Sequence, residues 1–155
     1  MRVRVIAVGT RLPAWARNAC AEYLGRLGSH GVSLIEIAPA ARSGAGQEQR
    51  AIATEGKRLL GALRPEDHVT ALDERGTQLA THELAAWLKE RMRLGVDLAF
   101  VIGGPDGFAP PVLARSNFTL SLSRLTLPHA LARVLLAEQL YRAYSILAHH
   151  PYHRD

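Results

Sequence analysis

Asp97-Leu-Ala-Phe-Val-Ile-Gly-Gly-Pro-Asp-Gly107 decides the fold. Its apolar residues run without polar alternation and stop at a glycine pair, which reads as a strand over Asp97 to Ile102 that is buried on both faces. Such strands belong inside parallel sheets. Working outward, Arg2 to Val8 alternates and then turns wholly apolar, a strand entering a covered sheet. Val32 to Ile37, His68 to Leu72 and Phe118 to Leu122 read as further strands. Helical spacing fills the gaps. Pro13 opens a helix whose buried face is Trp15, Ala19, Cys20, Tyr23, Leu24 and Leu27. A second helix carries Ile52, Leu59, Leu60 and Leu63, and a third, capped near Thr81, carries Leu84, Leu88 and Met92. Pro128 opens the last. Pro39 to Gln47, with Gly44 and Gly46 around Ser43, reads as a surface loop, and Asp73 to Gly76 as a turn toward the third helix.

Strands alternating with helices imply an α/β fold, a mainly parallel sheet with helices on both faces, in one domain spanning residues 1–155. Ligands of such sheets lie beyond the carboxyl ends of strands, here Leu72, Ile102 and Leu122. The last helix adds a further expectation. At 100° per residue, Leu131, Val134, Leu135 and Tyr141 share one side, and Leu136, Leu140, Tyr144 and Leu147 the other. A helix apolar all round needs cover on both sides, so one side should meet the sheet and the other a second copy of the chain. A helix sandwiched within one monomer is the competing reading.

Composition narrows the classes. A chain of 155 residues buries roughly 70% of its unfolded surface and supports one core. No stretch approaches the ~20 apolar residues that span a bilayer. The first apolar run ends at Gly9, too soon for a signal peptide, so a cytoplasmic protein without membrane partners is expected. Cys20 stands alone, which excludes an internal disulfide or a multi-thiolate metal site, and it reads as an inert core residue. The formal net charge is +5, and of 19 basic residues only Lys57 and Lys89 are lysine. Planar, forked arginine suits phosphates and bases, which favours a nucleic acid partner. Arginine-rich codon usage explains the same bias equally well.

Several blocks carry chemistry together: Val5 to Gly9, Ile35 to Ile37, Ile102-Gly-Gly-Pro-Asp-Gly107, Leu120 to His129, Arg133 to Ala143 and His150-Pro-Tyr-His-Arg154. In this order and across essentially the whole chain they closely resemble the small SPOUT methyltransferases that act on large-subunit ribosomal RNA. The resemblance implies a C-terminal trefoil knot and S-adenosylmethionine as methyl donor. It also implies methylation at N3 of a pseudouridine, in the stem-loop of large-subunit (23S) ribosomal RNA at the ribosomal subunit interface, on assembled ribosomes. The donor's site would be Leu72, Gly103, Gly104 and the loop Leu122, Ser123, Arg124, Leu125, Thr126, Leu127 and Pro128. The active site would include Tyr152, His153 and Arg154, reaching across a homodimer interface.

The residues themselves fit these roles. Gly103 and Gly104 let backbone approach a ligand. No Lys-Ser or Lys-Thr follows, so this is not a P-loop, and the Rossmann spacing is missing. Leu125 and Leu127 offer apolar cover to a ring. Tyr152 can stack on a base, His153 can accept a proton, and Arg142 and Arg154 can anchor substrate or steady developing negative charge. Glu138 and Arg142 form an i,i+4 pair on the Leu131 to Tyr141 side, which reads as a buried pair holding a site in place, with a helix-surface salt bridge as the competing reading. His149, His150 and His153 lack an acidic or thiolate partner set, so no metal is expected. A non-catalytic ribosome-associated RNA-binding factor is the alternative that cofactor titration would separate. A phosphate-binding hydrolase would want acidic metal ligands or an activated nucleophile, and neither clusters at the strand ends.

Overall fold

The computed structural model describes residues 1–42 and 44–154; Ser43, in the expected loop, and Asp155, at the end of the chain, lie outside the described residues. The strands are β1 (Val3–Val8), β2 (Val32–Ile37), β3 (His68–Gln78), β4 (Leu98–Ile102) and β5 (Phe118–Ser121). They form one sheet of order β2-β1-β4-β3-β5, and every pairing is parallel. The helices are α1 (Ala14–Leu27), α2 (Gln47–Ala62), α3 (Thr81–Leu94), α4 (Pro110–Arg115) and α5 (His129–Leu147).

Period-two alternation explains the layers. Val3, Val5 and Ala7 of β1 and Leu98, Phe100 and Ile102 of β4 face one core, shared with Leu27 of α1, Leu84 and Leu88 of α3, and Leu136 and Leu140 of α5. Ile6 and Val8 with Ala99 and Val101 point the other way, onto Leu59 of α2 and Val112 of α4. Central strands β1 and β4 are therefore buried on both faces, as their uninterrupted apolar runs require. At the opposite end from the strand carboxyl termini, Arg4 pairs with buried Asp67 and donates to Ala62 O. Cys20 is buried, and burial raises its thiol pKa.

Several sequence expectations need correction. Trp15 is 55% exposed, and the buried residues of α1 are Ala16, Cys20 and Leu27, because α5 covers a face rotated from the one that Trp15 occupies. Asp73 to Gly76 does not end β3. Leu72 and Thr77 both pair with Leu120, so the residues between them bulge outward and the strand resumes. The α3 terminus is satisfied by Glu83, which accepts the Ala80 N–H at 2.6 Å, while the Thr81 hydroxyl donates to Gln139 on α5. Helix α4 has no counterpart among the sequence expectations; it opens on Pro110-Pro111, and proline is well tolerated in a first helical turn.

Of the two sides expected on α5, the Leu136, Leu140 and Tyr144 side is buried, whereas Leu131, Val134, Leu135 and Tyr141 are only half-buried. Arg133 is buried between them. It pairs with Glu36 at 2.6 Å and donates to the Val8 and Gly9 carbonyls, fastening α5 to the carboxyl ends of β1 and β2.

Candidate active site

The carboxyl ends of β3, β4 and β5 open into one cleft of about 770 Å³. One wall is Leu72 and the bulge Asp73 to Arg75, a second is Ile102 to Phe108, and a third is Leu122, Ser123 and Leu125 to Pro128, with His129 and Ala132 of α5 closing the end. The volume lies within the range of small-molecule and cofactor sites. Leu72, Gly103, Gly104, Leu122, Ser123, Leu125, Thr126, Leu127 and Pro128 thus stand around a single space. Arg124 is exposed and does not line it.

Local hydrogen bonds shape the third wall. Ser121 Oγ donates to Ser123 O, Leu125 N–H to Ser123 Oγ, and Thr126 Oγ1 to Glu74 Oε2 at 2.7 Å, which joins the loop to the bulge of β3. Leu125 is left 73% exposed. The glycine pair also lies close against the protein's own atoms. A Cβ on Gly103 would meet Gly107 O at 3.0 Å, and one on Gly104 would meet Glu55 Oε1 at 2.9 Å. A side chain at Gly103 would crowd the carbonyl of Gly107 in the same turn, and one at Gly104 would require the Glu55 carboxylate behind the wall to shift.

Sequence reading missed several lining residues. His129 is the most consequential: burial first, then Arg133 and Arg42, lowers the imidazole pKa and favours a neutral ring at the cleft. Its position directly after Pro128, at the start of the helix, was the available signal. Asp73, Glu74 and Asp106 add carboxylates to the rim.

A second cluster forms at the far end of α5. His149 adopts φ 55°, in the left-handed region, and His150 N–H donates to Ser145 O, so the chain reverses and lays its tail back on the helix. The Tyr152 ring packs 4.5 Å from Tyr141 and lies 4.8 Å below the Arg142 guanidinium. Its hydroxyl stands 3.3 Å from Glu138 Oε1 and 3.5 Å from Tyr23 Oη. The Tyr23 hydrogen bond, burial and the Glu138 charge hold this phenol well above its ordinary pKa. Arg142 pairs with Glu138 at 2.7 Å and lies 3.3 Å from His153 Nδ1; since guanidinium has no acceptor, Nδ1 accepts. His153 Nε2 stands 3.2 Å from His82 Nε2, a contact with no local signature along the chain. Arg154 is exposed beside this group.

The two clusters are separate within one chain. Arg142 follows His129 by 13 residues on one continuous helix, roughly 20 Å at the α-helical rise. A family model described as a predicted SPOUT methyltransferase matches residues 1–153.

The chain belongs to the SPOUT methyltransferase family.

Its relatives agree at full length. Proteins named Ribosomal RNA large subunit methyltransferase H from Thiobacillus denitrificans and Chromobacterium violaceum are 49% and 44% identical to it, each over 100% of both chains. The protein of that name from Nitrosococcus oceani is 49% identical over 99% of each. Two solved structures share the fold. A probable methyltransferase from Bordetella pertussis Tohama I superposes with TM-score 0.57 at 19% identity, covering 92% of this chain and 95% of that one. A probable methylase family protein from Haemophilus influenzae Rd KW20 gives TM-score 0.54 at 15% identity, over 99% and 70%. In SPOUT terms, the all-parallel sheet presents one cleft beyond its strand ends and one aromatic and cationic cluster at the end of the last helix.

Proposed function

We propose that this chain, as a single domain, transfers a methyl group from S-adenosylmethionine to N3 of a pseudouridine in the subunit-interface stem-loop of large-subunit ribosomal RNA, on assembled ribosomes in the cytoplasm. The observation that carries the reading is near-half identity, end to end, with proteins named for methylating that RNA. No described helix is long and apolar enough to cross a membrane. The cleft fits the donor: Leu72, Leu122, Leu125 and Leu127 offer cover for an adenine ring, and carboxylates on Asp73 and Glu74 favour a cation. Bound there, the donor supplies an electrophilic methyl group.

The work left to this chain's residues is alignment and proton removal. N3 of the base carries a proton that must leave. His153 is our base: with Nδ1 accepting from Arg142 the neutral ring carries its proton on Nε2, beside His82, so Nδ1 is the atom that takes the N3 proton once Arg142 turns to the flanking carbonyls. Arg142 and Arg154 steady the charge that develops on the flanking carbonyls, and Tyr152 stacks on the base.

The site needs two copies. Leu131, Leu135, Glu138 and Arg142 share the outward side of α5, apolar near the cleft end and polar near the tail. A two-fold contact across this side, with the helices running oppositely, carries the tail cluster of one copy toward the cleft of the other. Exposed Trp15 on α1, which packs beside α5, supports the same homodimer. The family resemblance also implies the knot. The start of α5 at edge strand β5 and its packing against α1 and α3 are compatible with a threaded path.

The test is single-turnover transfer to assembled ribosomes, to free large subunits and to a short stem-loop, each with uridine or pseudouridine at the target. Transfer is expected only with pseudouridine and fastest on assembled ribosomes. Equal rates on the isolated uridine stem-loop would contradict the substrate assignment.

A further inference from the structure

Arg42 lies in the loop between β2 and α2, outside the cleft lining, yet its guanidinium joins three segments. Nη1 and Nη2 donate to Glu55 Oε2 and Oε1 at 2.7 and 2.8 Å, Nη1 also donates to Ala40 O at 3.1 Å, and Nε donates to Asp106 Oδ2 at 2.6 Å. Glu55, on α2, is 2% exposed and accepts one further bond, from Ala40 N–H at 3.0 Å. A carboxylate so enclosed persists only with charge-assisted partners, and the planar fork of arginine meets both of its oxygens at once.

This pair stands directly behind the cleft. The Cβ that Gly104 lacks would fall 2.9 Å from Glu55 Oε1, 3.3 Å from Val8 Cγ1 and 3.4 Å from Arg42 Nη2. Gly104 and Asp106 are also lining residues of the cleft. The wall that follows β4 is thus seated on Glu55 at one residue and tied to Arg42 two residues later. Among the described residues, main-chain bonding within the turn is a short bridge between Gly104 and Gly107, so its place relative to the sheet depends on these outside contacts.

We propose that Arg42 and Glu55 are positioning residues for the methyl donor, holding the Gly104 to Asp106 wall in the shape that receives it, with Asp106 as the link. The inference rests on the reading that this cleft takes S-adenosylmethionine. It assigns to the β2–α2 loop a part in donor affinity, through a residue that touches no ligand.

Asp106→Ala cuts the link and leaves the buried pair intact, so folding should be preserved. Arg42→Lys keeps the charge and loses the fork. By calorimetry on the full-length protein, each is expected to weaken S-adenosylmethionine binding about 10-fold through misplacement of the wall, with the donor KM rising and kcat at saturation within about 2-fold. Asp106→Asn, which still accepts the Nε–H, should recover most of the affinity. Because Asp106 acts through Arg42, the double variant should bind no more weakly than either single one. Wild-type affinity in both single variants would overturn the inference, and so would additive losses, which would make Asp106 a direct ligand contact. Should the wild type itself bind no S-adenosylmethionine, the cleft reading falls first and this inference with it; binding by wild type and variants alike removes the inference alone.

Discussion

The cleft and the tail cluster are made of opposite materials. The cleft is chiefly backbone, glycine and leucine at the ends of three strands, with carboxylates at its rim, held by short local hydrogen bonds. The tail cluster is tyrosine, arginine, histidine and glutamate, held by ring contacts and charge at the far end of α5. The first offers shape and apolar cover. The second offers a proton acceptor and fixed cations. On the proposed reading neither alone is a complete site for methyl transfer, and the helix joining them keeps them apart within one chain.

The largest effect should come from the tail. Deleting Tyr152 to Asp155 is expected to lower single-turnover methyl transfer at least ~100-fold, while calorimetric donor affinity stays near wild type. His153→Ala should reproduce most of that loss. His129→Asn, at the cleft, should cost less than about 10-fold, since general acid–base work carries the larger penalty. The reverse order would move the base into the cleft and break the contrast.

Next comes the cleft's own binding. Leu125→Asp removes an exposed leucine that only a ligand or a partner would cover, so the melting temperature should hold. If the donor covers it, affinity should fall about 10-fold or more, following the ~1.5–3 kcal/mol of a buried leucine. An unchanged affinity would assign Leu125 to another contact.

A smaller effect is expected where the tail reverses. His149 sits at φ 55°, where a β-branched side chain is strained by roughly 1–2 kcal/mol. His149→Val should therefore slow transfer several-fold with donor affinity intact, and His149→Gly should match wild type. Equal rates for all three would mean that the reversal does not position the tail.

The smallest effect is on stability. His129 and His68 both have folded-state pKa values below 6.5, each chiefly because burial disfavours the charged ring. Below that value the unfolded chain binds protons that the folded chain does not, so stability should fall as pH drops through 6.5 toward the depressed values. Urea unfolding of His129→Asn should show a shallower acid loss than wild type. An identical slope would show that His129 is solvated.

What the sequence made legible follows from where the information sits. β1 and β4 could be read because burial on both faces leaves unbroken apolar runs. Tyr152, His153 and Arg142 were singled out because polar residues of those types crowd one terminus, and the structure gathers them. Other features depend on partners far along the chain. The bulge at Asp73 to Gly76 exists because Leu72 and Thr77 share Leu120, a pairing with no local signature. Glu55 interrupts an apolar stripe for the sake of Arg42 in a preceding loop, and Trp15 looks like core until α5 is seen to cover the adjacent face. The glycine pair stands out in the sequence, but the Gly107 and Glu55 atoms that lie against it have no local signature.

The central claim, that one subunit's cleft works with the other subunit's tail, is most directly tested by complementation. Two inactive variants are coexpressed with different tags: Ala132→Trp, which fills the cleft, and the chain lacking Tyr152 to Asp155. The heterodimer is then purified through both tags. It retains one intact cleft facing one intact tail, so methyl transfer should return to about half the wild-type rate per dimer. A heterodimer as inactive as its parents, with subunit pairing shown by mass, would contradict the account and place cleft and tail of a single chain in the same site.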